Sequence, residues 1–211
     1  MTSTAIHSQI LDADWTARTI LPIAFQGREI ELEARAYQGT EPARQALALI
    51  HRGSSADASE LPLVRVHSGC VTGDIFHSLR CDCHAQLTAS LKHITAARTG
   101  VLIYLPYHEG RGIGLVNKVK AYALQDQGLD TVDANISLGE PIDARDYDLA
   151  ARILLDLNCA TIRLLTNNPA KLAALQKDGV TIAERVPLII EATPYNEKYL
   201  LTKRERMAHK I

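Results

Sequence analysis

The chain has 211 residues, 46% hydrophobic and 22% charged, the balance of a globular protein with one sizeable core. A formal net charge of −1 gives no electrostatic footprint for nucleic-acid binding. No window reaches the roughly 18 consecutive apolar residues that span a membrane, and Asp12 and Asp14 interrupt the N-terminus where a secretory signal would need an apolar run. The expected location is cytoplasmic, where clustered cysteines more often bind metal or do chemistry than form disulfides.

In chain order, residues 1–40 read as a lead-in plus a first strand. "REIELEARAY" (28–37) alternates Ile30, Leu32 and Ala34 with charged neighbours, the period of a half-buried strand. "ALALIH" is expected to pair with it, and "RGSSADASE" (52–60) is a polar loop. "LPLVRVHS" resumes the strand pattern, with Val64 and Val66 on one face and Arg65 and His67 on the other. Beyond Cys83, Leu87, Leu91 and Ile94 recur with helical spacing, and Gly100 is the expected stop. "VLIYL" (101–105) is a buried strand, followed by a glycine-rich loop and a helix through Leu115, Val119 and Tyr122 that ends near Gly128. Residues 146–157 form another helix and "TIRLL" (161–165) another buried strand. "NNPAKLAALQKDG" is a short helix with Pro169 in its first turn and Gly179 as its stop. "TIAERVPLII" returns to strand, and the polar tail from 194 ends in a last helix. These elements predict a single domain over residues 1–211 of the α/β (α+β) class, a mixed sheet flanked by helices.

Three of the four cysteines fall within "RVHSGCVTGDIFHSLRCDC" (65–83). Cys81 and Cys83 are one residue apart, so in extended backbone their sulfurs point to the same side. Cys70 ends the preceding strand, and the intervening loop is long enough to fold back. Three thiolates are good zinc ligands and leave a fourth tetrahedral position. A histidine there (His67, His77 or His84) would make the site structural; water there would make it catalytic. Spacing alone leaves these two as equal alternatives, with a redox pair behind them. Arg80 and nearby backbone N–H groups are expected to offset part of the charge that three thiolates donate. Cys159, beside an apolar strand, reads as a buried thiol.

Further loops could hold an anion. "YHEGRGIG" (107–114) ends a strand and opens a helix, where backbone N–H groups can approach a phosphate. In it, Glu109 could accept from a guanine edge and Arg111 could fork onto phosphate. "TNNPAK" (166–171) repeats the arrangement after another buried strand, with Asn168 as a plain N-cap the competing reading. In "DARDYD" (143–148), Asp143 could cap a helix, whereas a cation such as Arg145 at a helix start is explained by an anion held nearby.

Together these segments resemble the GTP cyclohydrolase II family. The matching runs are "RVHSGCVTGD", "SLRCDC", "EGRGIGLVNKVKAYALQDQG", "DTVDAN", "LGEPIDARDY", "RLLTNNPAK", "ERVPL" and "NEKYLLTK", in family order over about residues 63–203. The resemblance implies an open zinc site, one Zn²⁺ per chain, Mg²⁺ accompanying the triphosphate, and a homodimer. It also implies hydrolytic opening of the GTP imidazole ring, with loss of formate and pyrophosphate, for riboflavin synthesis. Carried over by motif, the zinc ligands fall on Cys70, Cys81 and Cys83. The general base falls on Asp143, the residue proposed to attack the α-phosphate (or to clamp it) on Arg145, and the tyrosine of ring opening on Tyr122. Nucleotide contacts fall on Arg65, Gln86, Glu109, Gly110, Arg111, Thr131, Thr166 and Lys171. Two departures border this pocket: Gly69 replaces the family's usual glutamate, and "PYHEGR" (106–111) is one residue longer than the usual approach. The alternatives are a nucleotide-binding regulator with a structural zinc, or a related purine ring-opening hydrolase of a secondary-metabolite pathway. A zinc deaminase is disfavoured, because its His-x-Glu and Pro-Cys-x-x-Cys pattern is absent.

Overall fold

A computed structural model describes residues 15–53 and 60–210. The lead-in before Trp15 and residues 54–59 of the polar loop lie outside the described residues. The seven strands are β1 (Trp15–Phe25), β2 (Arg28–Gln38), β3 (Gln45–Arg52), β4 (Leu63–Ser68), β5 (Thr99–Leu105), β6 (Thr161–Leu165) and β7 (Thr181–Val186). The helices are α1 (Cys83–Ala96), α2 (Gly114–Asp126), α3 (Thr131–Ser137), α4 (Asp148–Asp156), α5 (Pro169–Lys177) and α6 (Glu197–Arg206). All seven strands join one mixed sheet in the order β1-β2-β3-β5-β4-β6-β7, the α/β class expected. The pairings from β1 through β3 to β5 are antiparallel, and those among β5, β4, β6 and β7 are parallel.

Helices cover both faces of the parallel half. Leu149, Ala150, Ala151, Ile153 and Leu154 of α4 are buried with Ile50, Val64, Val66 and Ile103 of the sheet. On the opposite face Ile94 of α1 packs with Leu63, Leu102 and Leu165, and Leu87 and Leu91 add to that cluster. Burial of each such leucine or isoleucine contributes roughly 1.5–3 kcal/mol.

Several boundaries differ from the sequence expectation. The lead-in holds an unexpected strand, β1, which returns as β2 through Gln26 and Gly27 at φ +50° and +73°. Those two positive values are those of a tight hairpin turn usually marked by Asn-Gly, so a glutamine at the first position hid it. Helix α3 was also unexpected; Asp130 starts it by accepting from the Val132 and Asp133 N–H groups. Gly100 lies inside β5 rather than at a helix stop, and β7 ends at Val186 rather than running to residue 190.

The chain order creates a switch point. From β4 the chain runs through α1 to β5 on one side of β4, then later returns as β6 on the other side. The C-terminal ends of β4, β5 and β6 therefore open around a crevice, the place where parallel sheets bind ligands. The chain leaves those ends as a single π-type turn (Val71–Ile75), a 3₁₀ stretch (Pro106–Gly112) and the Thr166–Asn168 approach to α5.

Helix α6 closes over this crevice and is fastened by a buried ion pair. Lys203 Nζ donates to Asp82 Oδ1 at 2.6 Å, and Gln86 Nε2 donates to Asp82 Oδ2 at 2.6 Å. Burial pushes the Asp82 carboxyl up, but the Lys203 charge and the hydrogen bonds outweigh it and hold the group below its ordinary range. Its contribution is therefore present above the unfolded value of about 3.9 and is lost as pH falls through the folded value. Removing one partner of such a pair costs about 3–5 kcal/mol. Asp82→Asn is expected to lose about that much in urea denaturation near neutral pH, and the gap to the parent should shrink as pH falls below about 4.

Candidate functional site

The crevice is a solvent-open cavity with about 1050 Å³ of empty space, its open mouth included. Cys70, Cys81 and Cys83 form one wall. Their sulfurs all lie within 4.8 Å of one another, with Cys70 and Cys81 3.8 Å apart. Among the described residues no histidine, carboxylate or further thiol joins the group.

Local sequence explains how the sulfurs meet. The turn after Cys70 is pinned by Asp74, whose Oδ2 accepts from the Cys70 N–H at 2.9 Å and the Tyr104 hydroxyl at 3.0 Å. Gly73 then passes directly over the trio. A Cβ there would fall 2.9 Å from Cys81 Sγ, 2.9 Å from Cys83 Cβ and 3.1 Å from Cys70 Sγ, so no side chain is possible. The Gly73 N–H donates to Cys70 Sγ at 3.3 Å. Hydrogen bonds from Cys81 and Cys83, then the Lys118 ammonium, hold Cys70 far below an ordinary thiol, against burial.

The donor set fits a tetrahedral metal ion. Two sulfurs each about 2.3 Å from one such ion stand about 3.8 Å apart, which is the Cys70–Cys81 separation. The three histidines weighed as a fourth ligand are engaged elsewhere. His67 Nε2 lies 3.2 Å from both Asp74 oxygens, and the His77 and His84 rings pack on each other at a 35° tilt with centroids 3.8 Å apart. Cys159 is buried in the main core, as expected of a plain thiol.

The rest of the cavity is cationic. Arg65, Arg111, Arg145 and Lys171 line it, with Gln86, Gly110, Thr131 and Thr166. Arg65 donates to Leu165 O at 3.2 Å and Gln86 Oε1 at 2.7 Å, and burial pulls its guanidinium down to about 10, still charged at neutral pH. Lys171 donates to Val66 O at 2.6 Å; burial, then repulsion from Arg65 and Arg145, pushes it well below an ordinary lysine. Arg111 sits at φ +63°, and both its Nη1 and Nη2 are buried without a hydrogen-bond partner. A strained residue that aims unpaired cationic donors into a cavity is the signature of an anion site.

Tyr122 also lines the cavity, its ring 4.5 Å from the Arg80 guanidinium carbon on one side and 5.8 Å from Lys118 Nζ. Burial raises its phenol to about 12, so it is a proton donor at neutral pH. Asp143 and Glu109 stand one side chain behind the wall. Asp143 does not cap a helix; Arg145 forks onto it at 2.8 and 2.5 Å. Glu109 accepts from the Val71 N–H at 2.6 Å, Lys118 Nζ at 2.6 Å and the Gly110 N–H at 3.1 Å. Asn168 caps α5, accepting from the Ala170 and Lys171 N–H groups.

Several wall residues were not legible in the sequence: Ser68, His108 and Lys118, and Tyr199, Lys203 and His209 from the C-terminal tail. His108 Nδ1 lies 3.1 Å from Ser68 Oγ, which in turn lies 3.4 Å from Arg145 Nη1. Lys118 precedes Tyr122 by one helical turn, so the face already flagged by the tyrosine carried the signal. In the tail the signal was the family-like run "NEKYLLTK" (196–203) alone, because α6 is polar with no marked apolar stripe.

Comparison with known proteins matches this chain, over residues 17–187, to the family described as GTP cyclohydrolase II. It is 48% identical over 196 residues to the GTP cyclohydrolase-2 of Acinetobacter baumannii, covering 93% of this chain and 95% of that protein. It is 48% identical over 182 residues to the riboflavin biosynthesis protein RibBA of Salinispora tropica, and 53% over 175 residues to that of Nocardia farcinica. Those alignments cover 86% and 83% of this chain but 45% and 42% of the RibBA proteins, so the chain spans less than half their length. No helix among the described residues is long and apolar enough to cross a membrane. With residues 17–187 matched by the family and 93% of the chain aligned to the Acinetobacter protein, the chain belongs to the GTP cyclohydrolase II family.

Proposed function

We propose that the chain opens the imidazole ring of GTP by hydrolysis, releasing formate and pyrophosphate and leaving 2,5-diamino-6-(5-phosphoribosylamino)pyrimidin-4(3H)-one for riboflavin synthesis. The observation that carries this reading is the pairing of an open three-sulfur set with a cavity of under-compensated cations, Arg111 above all. A bound zinc ion at Cys70, Cys81 and Cys83 supplies the Lewis acidity that makes water a nucleophile near neutral pH. Arg65, Arg111, Arg145 and Lys171 receive the triphosphate with Mg²⁺, and the Thr166 hydroxyl adds a neutral donor. Gln86 and Thr131 complete the nucleotide contacts. Glu109 is already orientated by three donors but retains acceptor capacity, which the N–H edge of guanine would use.

Within this reading Arg145 clamps phosphate rather than attacking it. Burial disfavours its charge, but the Asp143 carboxylate that it forks onto more than offsets this and holds the guanidinium protonated. A protonated guanidinium has no lone pair to offer phosphorus. Asp143 is in turn held below its ordinary range by Arg145, against burial. When an arriving phosphate competes for Arg145, that hold weakens and Asp143 becomes a better proton acceptor. Tyr122, neutral at the sulfur wall, donates a proton as the ring opens.

The two departures from the family pattern meet in space. A Cβ on Gly69 would lie 2.9 Å from Pro106 Cα and 3.0 Å from Leu105 O, and the Gly69 N–H donates to that same carbonyl at 2.9 Å. The longer Pro106–Arg111 approach thus occupies the space a glutamate at 69 would need. Introducing the family's residue as Gly69→Glu is expected to destabilise the fold by about 1–3 kcal/mol through overpacking, as read by chemical denaturation.

The reading itself is tested by incubating purified, zinc-loaded protein with GTP and identifying the products by mass. Formate, pyrophosphate and the diaminopyrimidine are expected. Cys81→Ser should bind no zinc and release no formate. Nucleotide binding without turnover, unchanged in Asp143→Asn, would instead favour a regulator, and a formylated or otherwise altered pyrimidine would favour a related ring-opening enzyme.

A further inference from the structure

Lys118 has no part in the chemistry assigned above, yet it is the cation in contact with a sulfur of the trio. Its Nζ donates to Cys70 Sγ at 2.9 Å and to Glu109 Oε1 at 2.6 Å, and its side chain is 9% exposed. Glu109 Oε2 accepts from the N–H of Val71, the residue after Cys70. Ammonium, carboxylate and the Cys70–Val71 backbone therefore close one hydrogen-bonded ring around the ligating sulfur.

The need for such a ring follows from charge. Three thiolates and a divalent ion sum to one net negative charge, which is costly in a partly enclosed cavity unless a cation offsets it. A thiolate that accepts from N⁺–H also donates less charge to the ion, which then remains a stronger Lewis acid. Arg80, the residue expected from sequence to do this, points elsewhere. Its Nη1 donates to Asp126 Oδ2 at 3.2 Å and its Nη2 to Tyr122 O at 3.3 Å.

We infer that Lys118 is a positioning residue of the metal centre: it holds Cys70 in ligating geometry and offsets the excess charge of the thiolates, with Glu109 fixing its ammonium. The metal-binding part stands on the sulfur geometry alone, and only its consequence for turnover rests on the GTP reading.

The test compares the full chain with Lys118→Met and Lys118→Arg, measuring zinc affinity by competition with a chromophoric chelator and the sulfur-to-metal absorption of the cobalt-substituted forms. Lys118→Met is expected to bind zinc about 10–100-fold more weakly and to shift the cobalt spectrum, as loss of a ligand's hydrogen-bond partner commonly does. Lys118→Arg, which keeps charge and donors, should recover most of the affinity. With zinc in excess and GTP saturating, Lys118→Met should release about tenfold less formate per pyrophosphate. Zinc affinity within about threefold of the parent, with an unmoved cobalt spectrum, would overturn the inference, whatever happens to thermal stability. If Lys118→Met does not fold, Lys118→Gln takes its place: weaker zinc binding supports the inference and parental affinity overturns it. Failure of the parent to release formate would sink the GTP reading while leaving the zinc comparison intact.

Discussion

Everything in the cavity depends on three sulfurs sharing one small volume, and that is possible because residue 73 has no side chain. The turn from Cys70 and the segment Cys81–Cys83 approach each other until only a Cα separates them. Asp74 locks the first segment by holding the Cys70 N–H and the Tyr104 hydroxyl, and α1 begins at Cys83 to lock the second. These backbone contacts hold the cysteines at a spacing that suits one tetrahedral ion, as the Cys70–Cys81 separation indicates.

The cavity beside the sulfurs has the opposite character. It gathers guanidinium and ammonium groups from four places: Arg65 on β4, Arg111 after β5, Arg145 before α4 and Lys171 on α5. Among the described residues, only Arg145 of these four has a carboxylate partner, Asp143. Repulsion among the rest is visible in Lys171, which is pushed down by burial, Arg65 and Arg145. Under the proposed function, the charge of a polyanionic ligand would offset this repulsion.

The sequence made much of this legible. The strands at 28–37, 63–68, 101–105 and 161–165 showed in their periodicity because they are half or fully buried, and the cysteine spacing pointed to a shared ion because i and i+2 side chains lie together. What it hid has physical causes. Strand β1 is mostly solvent-exposed, so it carries no apolar alternation, and its turn uses Gln-Gly. Lys118 was overlooked because a lysine in a helix ordinarily faces solvent, and only the contact with Cys70 and Glu109 shows that this one does not. Arg80 was the nearer cation in sequence, but the intervening turn directs it to the outer face of Tyr122. The role of the tail was invisible for a similar reason: a polar helix becomes part of a site only through what it covers.

That tail has one more implication. Asp82, which holds Lys203, is the residue between Cys81 and Cys83. The C-terminal helix is therefore moored to the sulfur wall itself rather than to some distant part of the scaffold. His209 lines the cavity and the Lys210 N–H donates to Asn167 O, so the last described residues stand at its edge. An affinity handle or fusion partner attached there would crowd the entrance and strain the mooring, whereas the β1–β2 hairpin belongs to the opposite edge of the sheet from β7 and leaves entrance and mooring untouched.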